Sequence, residues 1–129
     1  MLIKSFAFTK IIVADVKAME RFYCDTLGLT VAARIDINER GWDLEEVVLS
    51  VGGGATQLNL LQYRDRPAPP LGEAVVGLNV DDMDATIAAA RAGGGALVTE
   101  PVEIPDHGIK ICYVADPEGH LLELLQVIR

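Results

Sequence analysis

The sequence has few residues of the kinds that build disulfide scaffolds, metal centres or membrane anchors. Its 129 residues include two cysteines, Cys24 and Cys112, and two histidines, His107 and His120. The cysteines are too few for a disulfide framework and lack metal-ligand spacing, so we expect both to be reduced core residues. No apolar run approaches the roughly 18 residues that span a bilayer, and the N-terminus lacks a signal-peptide pattern. The sequence therefore predicts a cytoplasmic protein without a membrane segment.

Basic residues are also scarce. There are 11 lysines and arginines against 19 aspartates and glutamates, which gives a formal net charge of −8. An acidic surface argues against nucleic acid and anionic membranes as partners and would attract a cationic ligand. The glycine runs VGGGA and AGGGA lack the Lys-Ser/Thr pair of a phosphate-binding loop, so no nucleotide cofactor is predicted. Half of the residues are hydrophobic, which is enough for one ordinary globular domain.

Two segments of the chain share one pattern of strand, helix cap, helix and glycine stop. They read FTKIIVADVKAMERFYCDTLGL and VVGLNVDDMDATIAAARAGGGA. Asp15 and Asp82 are predicted N-caps, because a carboxylate accepts from the unpaired amides of a first helical turn. Gly28 and Gly95 end the helices. The offset is 67 residues both for the caps (82 − 15) and for the stops (95 − 28), which indicates an internal duplication.

The remainder of each half also repeats. TQLNLLQ resembles HLLELLQ, with Asn59 and Glu123 at matching places 64 residues apart (123 − 59). Each half therefore predicts a strand, a helix and about three further strands, a βαβββ module. We expect module one at about 1–63, a proline-containing linker at 64–73 and module two at about 74–129. A module of this size buries too little surface to be stable alone, so the halves should share a core in a single domain, residues 1–129.

At this point the chain resembles the vicinal oxygen chelate superfamily, which includes glyoxalase I, bleomycin resistance proteins and extradiol dioxygenases. The segments VADVKAMERFYCDTLGL and DPEGHLLELLQ carry the resemblance most strongly. It implies an α+β fold in which two βαβββ modules form a curled mixed sheet, a cup with the helices outside, known as the glyoxalase-like fold. It also implies a homodimer.

Metal-binding members of this superfamily place up to four ligands inside the cup. The resemblance carries those places onto Phe8, Asn59, Val75 and Glu123. Glu123 alone offers a donor that divalent metals favour, and the amide of Asn59 is a weak one. Because a catalytic metal normally needs about three protein ligands, we expect no metal and no other cofactor.

Strand alternation predicts the other side chains that face the cup. Lys10, Gln57 and Asn79 should join the four superfamily positions, whereas Tyr113 could face either side of its strand. Trp42 could be a stacking lid over a ligand or part of the core. The predicted ligand-binding residues are Phe8, Lys10, Trp42, Gln57, Asn59, Val75, Asn79 and Glu123.

Glu123 admits three roles at this stage. It could form an ion pair with Lys10, hydrogen-bond a polar group on a ligand, or act as a general base in an apolar pocket. As a base it would use Lys10 or His107 as an electrostatic partner. His107 could equally be a solvated loop residue, and His120 is expected to have a structural role in its turn. The sequence therefore predicts a metal-independent protein that binds a small organic molecule. The alternative is an isomerase or lyase that transfers a proton on a small carbonyl or phenolic compound.

Overall fold

The computed structural model describes residues 2–39 and 41–128. The chain divides into two compact units, with the boundary between Pro69 and Pro70. The first unit contains one four-stranded sheet of order β1-β4-β3-β2, in which β1 is parallel to β4 and the other neighbours are antiparallel. Its elements are β1 (Thr9–Ile12), α1 (Val16–Arg21), a π-helical turn (Phe22–Thr26), β2 (Thr30–Glu39), β3 (Trp42–Ser50) and β4 (Gln57–Tyr63).

The second unit repeats this arrangement. Its sheet has the order β5-β8-β7-β6, with β5 parallel to β8 and the other neighbours antiparallel. Its elements are β5 (Val75–Asn79), α2 (Met83–Ala92), β6 (Ala96–Ile104), a 3-10 turn (Pro105–His107), β7 (Ile109–Ala115) and β8 (Leu121–Val127). The predicted α+β class and the two βαβββ modules are confirmed.

Both predicted helix caps are present. The Asp15 side chain accepts from the Ala18 amide at 3.0 Å, and Asp82 accepts from Ala85 at 3.0 Å. The first helix does not stay regular up to its glycine. It widens into the π-helical turn, whose buried Phe22 and Tyr23 rings meet edge to face with centroids 5.3 Å apart.

A second contact at each helix N-terminus comes from the last strand of the same unit. Gln62 Oε1 on β4 accepts from the Val16 amide at 2.8 Å, and Gln126 Oε1 on β8 accepts from the Met83 amide at 2.7 Å. Each glutamine joins a helix to its sheet and satisfies an amide that has no partner within the helix.

These glutamines also show which face of each sheet the helix covers. Side chains alternate along a strand, so Leu58 and Leu60 share the face of Gln62, and Leu122 and Leu124 share that of Gln126. All four leucines are buried. The opposite face of each sheet, called here the helix-free face, carries Gln57, Asn59, Leu61 and Tyr63 on β4 and Leu121, Glu123 and Leu125 on β8. The predicted inward side of both strands is therefore the helix-free side.

Replacing either glutamine by leucine should destabilise the protein by about 1 kcal/mol, because each substitution leaves a helix N-terminal amide without its acceptor. Urea unfolding followed by circular dichroism would measure the change. Gln57→Leu is the matched control, since Gln57 lies on β4 but points away from α1. Equal stability of Gln62→Leu, Gln126→Leu and the control would show that these contacts contribute nothing.

Candidate functional site

The helix-free face of the first unit carries a cluster of three polar side chains, the Lys10–Glu46–Asn59 cluster. Lys10 on β1 lies opposite Asn59 on β4, and Glu46 lies opposite Leu61. Lys10 Nζ is 3.1 Å from Glu46 Oε1, and Asn59 Nδ2 donates to Glu46 Oε2 at 2.6 Å. Glu46 and Asn59 are only 5% and 3% exposed. A buried carboxylate is thus held by one donor on each oxygen, which is the condition under which burial of a charge is tolerated.

Lys10 is the most accessible member of the cluster. Its side chain is 34% exposed, and its ammonium lies 5.0 Å from the centre of the Phe8 ring. That distance is within the range of a cation–π interaction. Two of the predicted ligand-binding residues, Phe8 and Lys10, therefore contact one another, and Lys10 also pairs with the buried Glu46.

Apolar side chains surround the cluster. Val48 lies directly opposite Asn59 on β3, and Leu44 and Leu61 are buried on the same face. Trp42 belongs to this face because it alternates with Leu44 and Glu46, but it lies at the strand end and is 52% exposed. Its exposure rules out the core role that the sequence left open. The stacking role stays a prediction.

Two arginines after β4 hold the hairpin that carries Trp42. Arg64 contacts Asp43 at 3.0 Å and Asp36 at 2.8 Å. Arg66 donates to the Gly41 carbonyl at 2.8 Å and lies 4.5 Å from the centre of the Tyr63 ring. The end of β4 is thereby tied to the turn between β2 and β3, where Trp42 begins β3.

The helix-free face of the second unit has a different polar pair. Glu123 on β8 lies opposite Tyr113 on β7, and the Tyr113 hydroxyl donates to Glu123 Oε1 at 3.0 Å. This hydrogen bond, together with the carboxylate charge, raises the pKa of Tyr113, so the phenol stays protonated at neutral pH. Tyr113 is therefore placed on the helix-free face, a point the sequence left undecided. On the other side of Glu123 lies Gly77, where an added Cβ would have no described atom within 4 Å.

Comparison with known proteins decides the family. The family model described as the Glyoxalase/Bleomycin resistance protein/Dioxygenase superfamily matches residues 5–124. The chain belongs to this superfamily. A probable lactoylglutathione lyase from Synechocystis sp. is 28% identical over 120 residues, which cover 92% of each chain.

Solved structures agree with the superfamily fold. A glyoxalase family protein from Bacillus cereus superposes with a TM-score of 0.85 at 19% identity, covering 100% of this chain and 99% of that one. An antibiotic binding protein from a Streptomyces species gives a TM-score of 0.73 at 23% identity, covering 98% of each chain. The glyoxalase-like fold expected from the resemblance is thereby confirmed. Within the described part of the chain, no helix has the length and apolarity needed to cross a bilayer.

The residues at the four superfamily positions do not fit a metal ion. Phe8 and Val75 have no donor atoms, and both are about half exposed, at 51% and 49%. The Asn59 amide is engaged by Glu46, and Glu123 by Tyr113. Nowhere in residues 2–39 and 41–128 do three histidine, cysteine, aspartate or glutamate side chains gather in a way that could hold a metal. Independence from metal stays a prediction that solution measurements must test.

The other predicted residues are placed as follows. Gln57 on β4 is half-buried, and Asn79 at the end of β5 is exposed. His107 is exposed on the 3-10 turn before β7. The structure brings Lys10 and Asn59 together on Glu46, and it places Phe8 against Lys10. Neither Glu46 nor Tyr113 is predicted by the sequence, although each is the partner of a residue that is.

His120 has the structural role that the sequence predicts. Its Nδ1 lies 2.8 Å from Asp116 Oδ2, in the turn between β7 and β8. Asp116 is 2% exposed, and its Oδ1 also accepts from the backbone amides of Glu118 and His120 at 3.0 and 2.9 Å. One buried carboxylate therefore organises the turn that leads into the strand of Glu123.

Proposed function

We propose that the protein binds a small organic molecule on a helix-free sheet face, without a metal ion. The observation that carries this proposal is the chemistry of the four superfamily positions. Two are half-exposed apolar side chains, Phe8 and Val75, and two are polar side chains with partners of their own, Asn59 and Glu123. Each unit therefore contributes one half-exposed apolar side chain and one placed polar side chain, a combination typical of sites for organic ligands.

Three further features support binding of this kind. The half-exposed Trp42 offers an aromatic plane for stacking. The net charge of −8 favours a cationic ligand. The Streptomyces relative in fold is an antibiotic binding protein, so small-molecule binding is compatible with this architecture. We further propose that the protein is a cytoplasmic homodimer.

Purification without chelator, elemental analysis and a thermal-shift screen would test the proposal together. We expect substoichiometric zinc, nickel and iron. We also expect at least one antibiotic, aromatic or keto compound to raise the melting temperature in the presence of EDTA. A ligand at 100 times its dissociation constant stabilises by about 2.7 kcal/mol, a shift of roughly 10 °C for a domain of this size.

Trp42→Ala should weaken the response to an aromatic ligand, whereas Val98→Ala, a change at a similarly exposed residue in the other unit, should leave it intact. Stoichiometric metal whose removal abolishes the thermal shift would overturn the proposal.

The Tyr113–Glu123 pair favours one alternative, an isomerase or lyase that transfers a proton on a small carbonyl or phenolic compound. The Tyr113 hydroxyl engages Oε1 and orients the carboxylate, and no described residue donates to Oε2. Oε2 is therefore the oxygen that would accept a proton from a substrate. Metal-free turnover of a screened keto compound that is lost in Glu123→Gln would favour this alternative over binding alone.

A further inference from the structure

The Asn59 side chain has one polar atom without a partner. Asn59 is 3% exposed, and no described residue donates a hydrogen bond to its Oδ1, which is shielded from solvent. Buried polar atoms in native proteins are nearly always hydrogen-bonded, so an isolated acceptor of this kind calls for a physical reason.

The orientation of the amide follows from its neighbour. Asn59 Nδ2 donates to Glu46 Oε2 at 2.6 Å, and a carboxylate can only accept. A half-turn of the amide would place Oδ1 against Oε2, and two acceptors at that distance repel one another. Glu46 therefore holds the amide so that its donor is used and its acceptor faces away.

The opposite charges of Lys10 and Glu46 neutralise one another within the cluster. Lys10 Nζ pairs with Glu46 Oε1, so the ammonium already has a carboxylate partner. An anionic ligand would approach a buried carboxylate and gain little from a lysine that is paired. A neutral or cationic group with an O–H or N–H would meet no such penalty and would satisfy Asn59 Oδ1.

We propose that Asn59 Oδ1 accepts a hydrogen bond from the ligand, and that the ligand class is a neutral or cationic molecule carrying an O–H or N–H on an apolar body. Val48 lies opposite Asn59 and Leu61 two residues beyond it. Both are buried, so the apolar body contacts them only after a neighbouring side chain has moved aside. The Lys10 side chain, which is a third exposed, is the flexible member that moves to admit the donor. This inference rests on the proposed function. It specifies the charge of the ligand and the hydrogen-bond donor that the ligand must carry.

Phenol and anisole are a matched pair of probes, because the second replaces the hydroxyl hydrogen with a methyl group. Titration of each into isotope-labelled protein, followed through the backbone amide signals of β1, β3 and β4, would measure the two affinities in the wild type and in every variant. We expect phenol to bind about tenfold more tightly than anisole, the usual worth of one satisfied hydrogen bond. Benzoate, which is anionic, should bind more weakly than phenol.

Asn59→Leu removes the acceptor but keeps the number and branching of the side-chain heavy atoms, and it should abolish the difference between phenol and anisole. Glu46→Gln keeps the shape but offers both a donor and an acceptor, so the Asn59 amide is no longer held one way and the difference should shrink. Asn38→Leu, at an exposed position on β2, is the matched control and should retain the full difference.

The outcomes separate this inference from the proposed function. If anisole binds as tightly as phenol, or if the difference survives in Asn59→Leu, the acceptor role is wrong while organic-ligand binding stands. If neither probe perturbs the first unit at millimolar concentration and the thermal-shift screen is also negative, both proposals fall. If Asn59→Leu does not fold, the difference between phenol and anisole in Glu46→Gln tests the same inference.

Discussion

Asp116→Ala should lower the free energy of unfolding by about 3 kcal/mol. Asp116 is buried in the turn between β7 and β8, and its carboxylate accepts from the Glu118 and His120 amides and contacts the His120 ring. Alanine would leave two backbone donors and a histidine without their acceptor. Each hydrogen bond to a charged group contributes about 1.5–3 kcal/mol, and their sum is reduced because the donors share one carboxylate.

Asp116→Asn is the informative comparison. Its side-chain oxygen can still accept from both amides, and its NH₂ group can donate to His120 Nδ1 in the neutral ring, so we expect well under half the loss. Asp106→Ala, at an exposed residue of the 3-10 turn, should change stability by less than about 0.5 kcal/mol. Urea unfolding curves for the three variants would measure these differences. Equal losses in the alanine and asparagine variants would show that charge, and not hydrogen bonding, stabilises the turn.

The features that the sequence predicts correctly are local ones. Asp15 and Asp82 cap helices because the donors they serve lie three residues away, and Gly28 ends a helix through its own positive φ of 84°. The duplication is visible because caps and stops recur at one offset. Glu123 stands out because it interrupts a run of leucines.

Glu46 and Tyr113 could not be found in this way, because their partners depend on strand register. Asn59 reaches Glu46 from 13 residues away across a turn, and Tyr113 reaches Glu123 from 10. Strand β3 is buried on both faces over most of its length, so alternation does not set Glu46 apart from Glu45. The paired glutamines Gln62 and Gln126 recur visibly in the sequence, but their contacts with α1 and α2 are tertiary and have no local signature.

Glu46→Ala should cost about 1–3 kcal/mol, the usual penalty when a buried donor is left without an acceptor. The substitution leaves the Asn59 amide donor buried without an acceptor and deprives Lys10 of its carboxylate. Urea unfolding would again measure the loss. Glu45→Ala is the matched control, because Glu45 is adjacent in β3 but lies on the other face and is less buried. A loss no larger than that of Glu45→Ala would contradict the view that this carboxylate is held in the interior by its partners.

Replacing all three residues of the cluster should restore the stability that Glu46→Ala removes. Polar clusters in an interior are often no more stable than apolar side chains of similar volume, so Lys10→Met, Glu46→Leu and Asn59→Leu together should recover wild-type stability or exceed it. The same triple variant should bind phenol and anisole equally, because the acceptor at Asn59 is gone. If the triple variant is as stable as the wild type but binds phenol and anisole equally, folding does not require the Lys10–Glu46–Asn59 cluster, and the cluster serves ligand recognition. A triple variant as unstable as Glu46→Ala would instead make the cluster a structural feature of the first unit.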